Sequence, residues 1–189
     1  MKKVSYLLVL VLTVSSFGLF GQSQKVNTEK STISWLGKKI GGQHEGLINL
    51  KSGSIEEKEG KIVSGSFVID MTSITNTDLT DAGYNQKLVG HLKSDDFFGV
   101  ENFPTATLNI TKASPYLNGI ASVTGALTIK SKTEPITFDV IKKGSNYTAK
   151  IEIDRSKFNV KYGSTSFFDS LGDKAIDDVF ILDISFYID

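Results

Sequence analysis

The sequence predicts an all-β chain: an antiparallel eight-stranded barrel with one short helix and a few helical turns. Three observations predict it. Apolar and polar residues alternate with period two along about eight separate runs. Turn signals ("KEGK", "ASPYLNG", "KSKTEP", "KKGSN") part most of those runs. Only the stretch from about Asp81 to Leu92 has a helical period, with Tyr84, Leu88 and Leu92 recurring every four residues. Eight hairpin-linked strands suffice to close a barrel, and closure removes the exposed edges. Two packed sheets remain the alternative arrangement of the same strands.

The chain opens with "MKKVSYLLVLVLTVSSFGLFG". Two lysines, an apolar run and then small residues make the pattern of a secretory signal peptide. The apolar run is shorter than the ~20 residues that span a bilayer. The expected cut lies before Gln22, with a cut after Gly18 as the alternative. This gives a signal over residues 1–21 and one domain over residues 22–189. No membrane segment is expected in the mature chain, and its place is the periplasm or the secreted fraction.

The strands follow in order. "STISWLGKK" puts Ile33 and Trp35 on one face, and "HEGLINLKSGSIE" runs to a turn around Gly60. "IVSGSFVIDM" sets Phe67 and Ile69 on one face, and "PTATLNITK" does the same with Ala106, Leu108 and Ile110. "GIASVTGALTIK" places Val123, Leu127 and Ile129 together, and "EPITFDVIK" places Ile136, Phe138 and Val140. "NYTAKIEID" aligns Tyr147, Ala149, Ile151 and Ile153. "VFILDISFYID" closes the series with Phe180, Leu182, Ile184, Phe186 and Ile188 on one side.

Composition narrows the function. Lysine plus arginine and aspartate plus glutamate balance at 21 each, so removing Lys2 and Lys3 leaves a small negative charge. No basic patch stands out, and nucleic acid is not an expected partner. There is no cysteine, so packing alone must hold an exported domain together.

Acid, base and aromatics crowd into "GHLKSDDFFGVENFPTATL". Helix and turn chemistry accounts for every residue type there. Asp81 suits the cap of the preceding helix and Lys93 its end. Ser94 is expected to cap a second helical turn whose first residues are Asp95 and Asp96. Gly99 stops that turn and Pro104 begins an extended segment. The rival reading makes His91 and Asp95 or Asp96 a general acid and base. Aspartates adjacent in a helical turn point apart by about 100°, which weakens it. His44 and His91 are the only histidines, with no metal-ligand spacing between them, so no metal and no cofactor are expected.

Four blocks then carry a family resemblance: "GSFVIDMTSI", "HLKSDDFFGVENFPTATL", "VTGALTIKSKTEPITFDV" and "IDRSKFNVKYGSTSFFDSLGDKAIDD". With them, the sequence resembles the YceI-like family of exported lipid- or polyisoprenoid-binding proteins, from "TISWLGKK" to the C-terminus. It departs from the family at Ser131 and Asn159, where many members have glycine, and at Gly99, where the usual residue is aspartate. The resemblance implies an elongated lipocalin-like barrel that holds a long isoprenoid or similar amphiphile, such as a quinone or a fatty-acid-like lipid, and performs no catalysis. A ligand-free barrel acting as a stress or interaction protein is the alternative, and an enzyme acting on a lipid the least favoured. A homodimer is compatible with the sequence.

The apolar faces supply candidate tunnel residues: Trp35, Phe67, Ile69, Leu108, Leu127, Phe138, Ile151, Ile184 and Phe186. Loop aromatics Phe97, Phe98, Phe103, Phe158, Phe167 and Phe168 are candidates for the mouth. Each also suits plain core, because a small barrel has to be filled. Arg155 is the sole arginine and the candidate for a ligand head group, since a guanidinium suits phosphate or carboxylate. It equally suits pinning its own loop to an aspartate.

Overall fold

The computed structural model describes residues 22–189. The expected signal peptide, residues 1–21, lies outside the described residues. Nine strands form one antiparallel sheet: β1 (Gln22–Lys39), β2 (Gly42–Leu47), β3 (Asn49–Lys58), β4 (Lys61–Asp70), β5 (Thr105–Ala113), β6 (Ile120–Ile129), β7 (Lys132–Lys143), β8 (Asn146–Asp154) and β9 (Val179–Ile188). One helix, α1 (Ala82–Lys93), lies between β4 and β5. The order β1-β3-β4-β5-β6-β7-β8-β9 returns to β1, so eight strands close into a barrel and β2 stays outside that ring. Closure leaves no barrel strand at an outer edge, although β7 pairs with β8 only over Val140–Lys143 and β1 with β3 only over Gln22–Lys25.

Two departures from the expected strands have local causes. The run "HEGLINLKSGSIE" is two strands, broken at Ile48, and both lie along the edge of β1 that faces away from β9. β3 pairs onward with β4, whereas the far side of β2 is taken by the chain that follows β4. Thr75 and Thr77 donate their N–H groups to the carbonyls of Leu47 and Glu45, each at 3.0 Å. That approach needs Gly46, because a Cβ there would overlap the Thr75 carbonyl. β1 also starts nine residues before "STISW". Its polar first half carries only Val26 into the core, and its register on β9 shifts between Asn27 and Thr32.

Strands end where a side chain can satisfy the next free N–H. Asp70 ends β4 and its carboxylate accepts from the Thr72 N–H at 2.9 Å. Asp154 ends β8 and accepts from the Ser156 N–H at 3.0 Å. Each aspartate caps a single 3₁₀ turn. The expected cap of α1 is present, since Asp81 Oδ1 accepts from the Tyr84 N–H at 2.9 Å. The stripe on α1 is only partly used. Leu92 faces the barrel cavity, while Tyr84 is 65% exposed.

Ser94 does not start a second helical turn, which corrects the expectation. Its hydroxyl donates to the His91 carbonyl at 2.8 Å, and its N–H bonds to the carbonyls of Gly90 and His91. The last carbonyls of α1 need donors, and Ser94 supplies them. Its own carbonyl then receives the N–H groups of Phe97 and Gly99. Residues 94–100 are thus a turn that folds Phe97 and Val100 into the core. Lys130 tethers it, donating to the Phe97 carbonyl at 2.8 Å.

Several turns hold non-glycine residues in the left-handed region, and two of them bear on the family resemblance. Lys130 and Ser131 join β6 to β7 with φ of 47° and 61°, and Asn159 has φ of 62°. These include both positions where the resemblance leads one to look for glycine. A two-residue hairpin with both φ values positive prefers glycine at its second place. Ser131→Gly is therefore expected to stabilise the fold by about 1 kcal/mol, relieving left-handed strain on a residue with a Cβ. Urea unfolding of the two proteins measures it as a higher midpoint at unchanged slope.

A second prediction concerns the 74–78 segment. Burial pushes the Asp78 carboxyl up, but hydrogen bonds from the Glu45 N–H, His44 and Asn76 outweigh it and hold the carboxyl at about 2, against an ordinary 3.8. The folded state thus favours the charged form. The resulting stabilisation is complete above pH 3.8 and is lost as pH falls toward 2. Unfolding free energy measured from pH 5 to pH 2 is expected to fall more steeply in the wild type than in Asp78→Asn.

Candidate functional site: the apolar barrel interior

The inward positions form one apolar column along the barrel axis. Cross-strand pairs set its layers: Phe67 beside Leu108, Leu108 beside Leu127, Ile69 beside Ala106, and Ile151 beside Leu182. Two cavities lie in this column. The upper one, at the end with the long loops, has a volume of about 120 Å³. The lower one, toward the short turns, has about 40 Å³. No residue lines both; inward neighbours separate them, with Ile69, Ala106, Ile153 and Leu182 on the upper cavity and Phe67, Leu108, Ile151 and Ile184 on the lower.

The candidate tunnel residues fall on both levels. Trp35, Ile69, Leu127, Phe97 and Phe98 line the upper cavity. Phe67, Leu108, Phe138, Ile151, Ile184 and Phe186 line the lower one. Trp35 is held by its indole N–H, which donates to the Thr75 carbonyl at 3.0 Å. Phe67 and Phe186 stack across the lower cavity with centroids 5.1 Å apart. The wall is thinned for the Phe67 ring: a Cβ on Gly53 would lie 3.0 Å from it, and one on Gly65 3.2 Å.

The other loop aromatics do not line either cavity. Phe158 is fully buried in the core under its own turn. Phe103 turns back on Gly99, where an added Cβ would meet its ring at 3.3 Å. Phe167 and Phe168 point outward and are 41% and 49% exposed. Their N–H groups both bond to the Ser164 carbonyl, which fixes the turn facing away from the barrel. Sequence reasoning missed Met71, Ile74 and Leu92 as lining residues. All three come from the β4–β5 connection rather than from a strand face, so period two carried no signal for them.

Arg155 borders the upper cavity yet is only 2% exposed. Its Nε donates to the Asp177 carbonyl, one terminal nitrogen to the carbonyls of Val160 and Tyr162, and the other to the carbonyl of Ile176. Asp178 lies 3.3 Å from that last nitrogen. Burial pulls the guanidinium below its ordinary value, with Asp178, Asp154 and Asp177 pulling it back. A guanidinium has five N–H donors, and carbonyls of this loop accept from four of them. The geometry places Arg155 as the pin of the 155–178 loop, not as a free head-group ligand.

The acid–base constellation does not assemble. His91 lies edge-on to Tyr162 at 4.3 Å and to Phe97 at 5.8 Å, and its Nε2 has no hydrogen-bond partner. Asp95 accepts from Asn102 at 3.1 Å. His44 is engaged by Asp78 at 2.8 Å. Among the described residues, no three histidine, aspartate or glutamate side chains gather as a metal site.

A closed eight-stranded antiparallel barrel with an apolar axial column defines the class of this protein. The chain belongs to the YceI-like domain family, whose model matches residues 24–187. Similar solved structures include Burkholderia cenocepacia BcnA, 27% identical with a TM-score of 0.65, covering 85% of this chain and 98% of that one. A Saccharophagus degradans polyisoprenoid binding domain, implicated in plant cell wall breakdown, is 12% identical with a TM-score of 0.60, over 90% and 99%. The Campylobacter jejuni YCEI protein is 20% identical with a TM-score of 0.54, over 100% and 99%. No curated protein matches the sequence.

Proposed function

We propose that this chain is an exported carrier that holds the apolar tail of an isoprenoid or similar long-chain lipid in its barrel. The observation that carries the reading is the pair of apolar cavities stacked along the barrel axis, whose walls offer a ligand almost no polar contact. Such walls suit a hydrocarbon tail and leave any polar group at the loop end. The basic, apolar and small segments before Gln22 support export. Membership of the YceI-like family, and its structural likeness to a polyisoprenoid binding domain, support the lipid class.

Magnitudes qualify how the tail fits. An apolar cavity of about 150 Å³ holds one benzene ring. The upper cavity is slightly smaller, so a long tail enters only as interior side chains move apart. Each buried CH₂ contributes about 0.8 kcal/mol, enough to drive that movement once several are buried. The small cavities are also the observation that favours the second reading, a filled barrel acting through its surface.

Trp35 is the sole tryptophan and lines the upper cavity, so it reports on occupancy. Titration with a polyprenol is expected to shift and saturate its emission. An emission spectrum indifferent to every long-chain lipid supports the filled-barrel reading instead.

A further inference from the structure

The barrel has a charged floor. At the end opposite α1, Glu57 closes β3 beneath the lower cavity. One carboxylate oxygen accepts from Tyr116 at 2.8 Å and from Tyr147 at 3.0 Å. The other accepts from the Lys142 ammonium. That ammonium also lies 5.2 Å from the Tyr147 ring centre and 5.6 Å from that of Tyr116. Burial pushes the Glu57 carboxyl up, but the three donors outweigh it and the net shift is downward. The Glu57 side chain is 14% exposed. Tyr147 is buried, with its ring lining the lower cavity and its hydroxyl on the carboxylate. It is therefore the boundary between hydrocarbon above and an ion pair below.

We propose that this cluster sets the length of tail the barrel accepts. The inference rests on the lipid-carrier reading and adds a specificity determinant to it. Above the floor, each added CH₂ meets apolar wall and raises affinity about fourfold. At the floor the next carbon meets Tyr147 and, behind it, a carboxylate that accepts from both tyrosine hydroxyls and the Lys142 ammonium. Passing it means separating Glu57 from Lys142 and both hydroxyls, a loss that a few more buried carbons do not offset. Affinity therefore rises with chain length and then stops rising at a sharp limit. An apolar floor would give way gradually, as side chains repacked.

The column length gives the scale of the limit. Inward residues on β4 run from Ile62 in the lower cavity to Ile69 in the upper, and Met71 follows. Nine steps from Ile62 to Met71 at about 3.3 Å each, tilted by about 40°, give an axial depth of roughly 23 Å. That depth takes about five isoprene units laid straight.

The test is a length series of linear polyprenols, from two to eleven units, read by native mass spectrometry and Trp35 emission. In the wild type, affinity is expected to climb and then level near the column depth. Tyr147→Ala with Glu57→Ala is expected to move that limit to longer chains by at least two units. Val140→Phe, which fills the lower cavity from an adjacent strand, is expected to shorten it. The filling variant keeps the floor cluster and so remains informative if the opened one does not fold. Binding with the same length limit in all three proteins overturns this inference alone. Absence of binding by every member of the series overturns both it and the carrier reading.

Discussion

Replacing Arg155 with alanine is expected to destabilise the protein by about 3–5 kcal/mol, the scale of breaking a buried pair from one side. The loss has two parts. Four backbone carbonyls, of Val160, Tyr162, Ile176 and Asp177, lose their donor together. Asp178 keeps its carboxylate beside the site with its cation gone. Hydrogen bonds to a charged donor contribute about 1.5–3 kcal/mol each when removed singly, and removals that share one donor are not additive. Lysine is not expected to rescue the variant. Its ammonium is a single point, whereas these carbonyls sit around a planar fork. Urea unfolding of wild type, Arg155→Ala and Arg155→Lys measures this. A loss under 1 kcal/mol in both variants contradicts the role of Arg155 as the pin of the 155–178 loop.

Removing the Phe67 ring is expected to have an effect of similar size on stability and the opposite effect on ligand capacity. Phe→Ala in a core costs about 3–5 kcal/mol, and the larger values belong to sites that cannot collapse. This site is one of them. Glycines at 53 and 65 flank the ring, so no neighbouring side chain on those positions can fill the void. Phe186 loses its stacking partner at the same time. The void lies in the lower cavity, directly beneath the upper one. Phe67→Ala is therefore expected to bind a short apolar probe at least tenfold more tightly, about 1.4 kcal/mol. Thermal unfolding with and without the probe reads both effects. A destabilised variant with unchanged probe affinity contradicts the placement of the Phe67 void in the lower cavity.

Much of the fold was legible because a half-buried strand has a two-residue period and a turn has a short list of residues. The faces of β4 to β9 follow directly from that pattern. β1 and β2 are where it failed. The segment "QSQKVNTEK" carries one apolar inward residue, Val26, so it has no alternation to read, yet it completes the barrel by pairing with β3 and β9. The break at Ile48 depends on a chain segment crossing close to Gly46, a tertiary event that the local pattern does not encode. Ser94 was assigned to the wrong helix end because a serine after a helix can serve either the carbonyls behind it or the N–H groups ahead.

The site was half legible for the same reason. Strand faces gave the walls of the column, including Phe67, Ile69 and Leu108. Loop aromatics could not be sorted, since a phenylalanine in a loop carries no signal of whether it turns in, like Phe97, or out, like Phe168. Arg155 showed its charge in the sequence but not its surroundings. Four carbonyls from a loop of more than twenty residues converge on it only once the chain has folded. The floor cluster was invisible as well, because Glu57, Tyr116, Lys142 and Tyr147 come from three strand ends and a loop.

Carriage of a lipid in the barrel is tested most directly by isolating the protein from its own host and identifying what it holds. Mass spectrometry of the organic extract, beside a native spectrum of the intact protein, gives both cargo and stoichiometry. The expected result is one defined long-chain lipid at close to one molecule per barrel. An empty protein, or a mixture of host lipids at low occupancy, contradicts it.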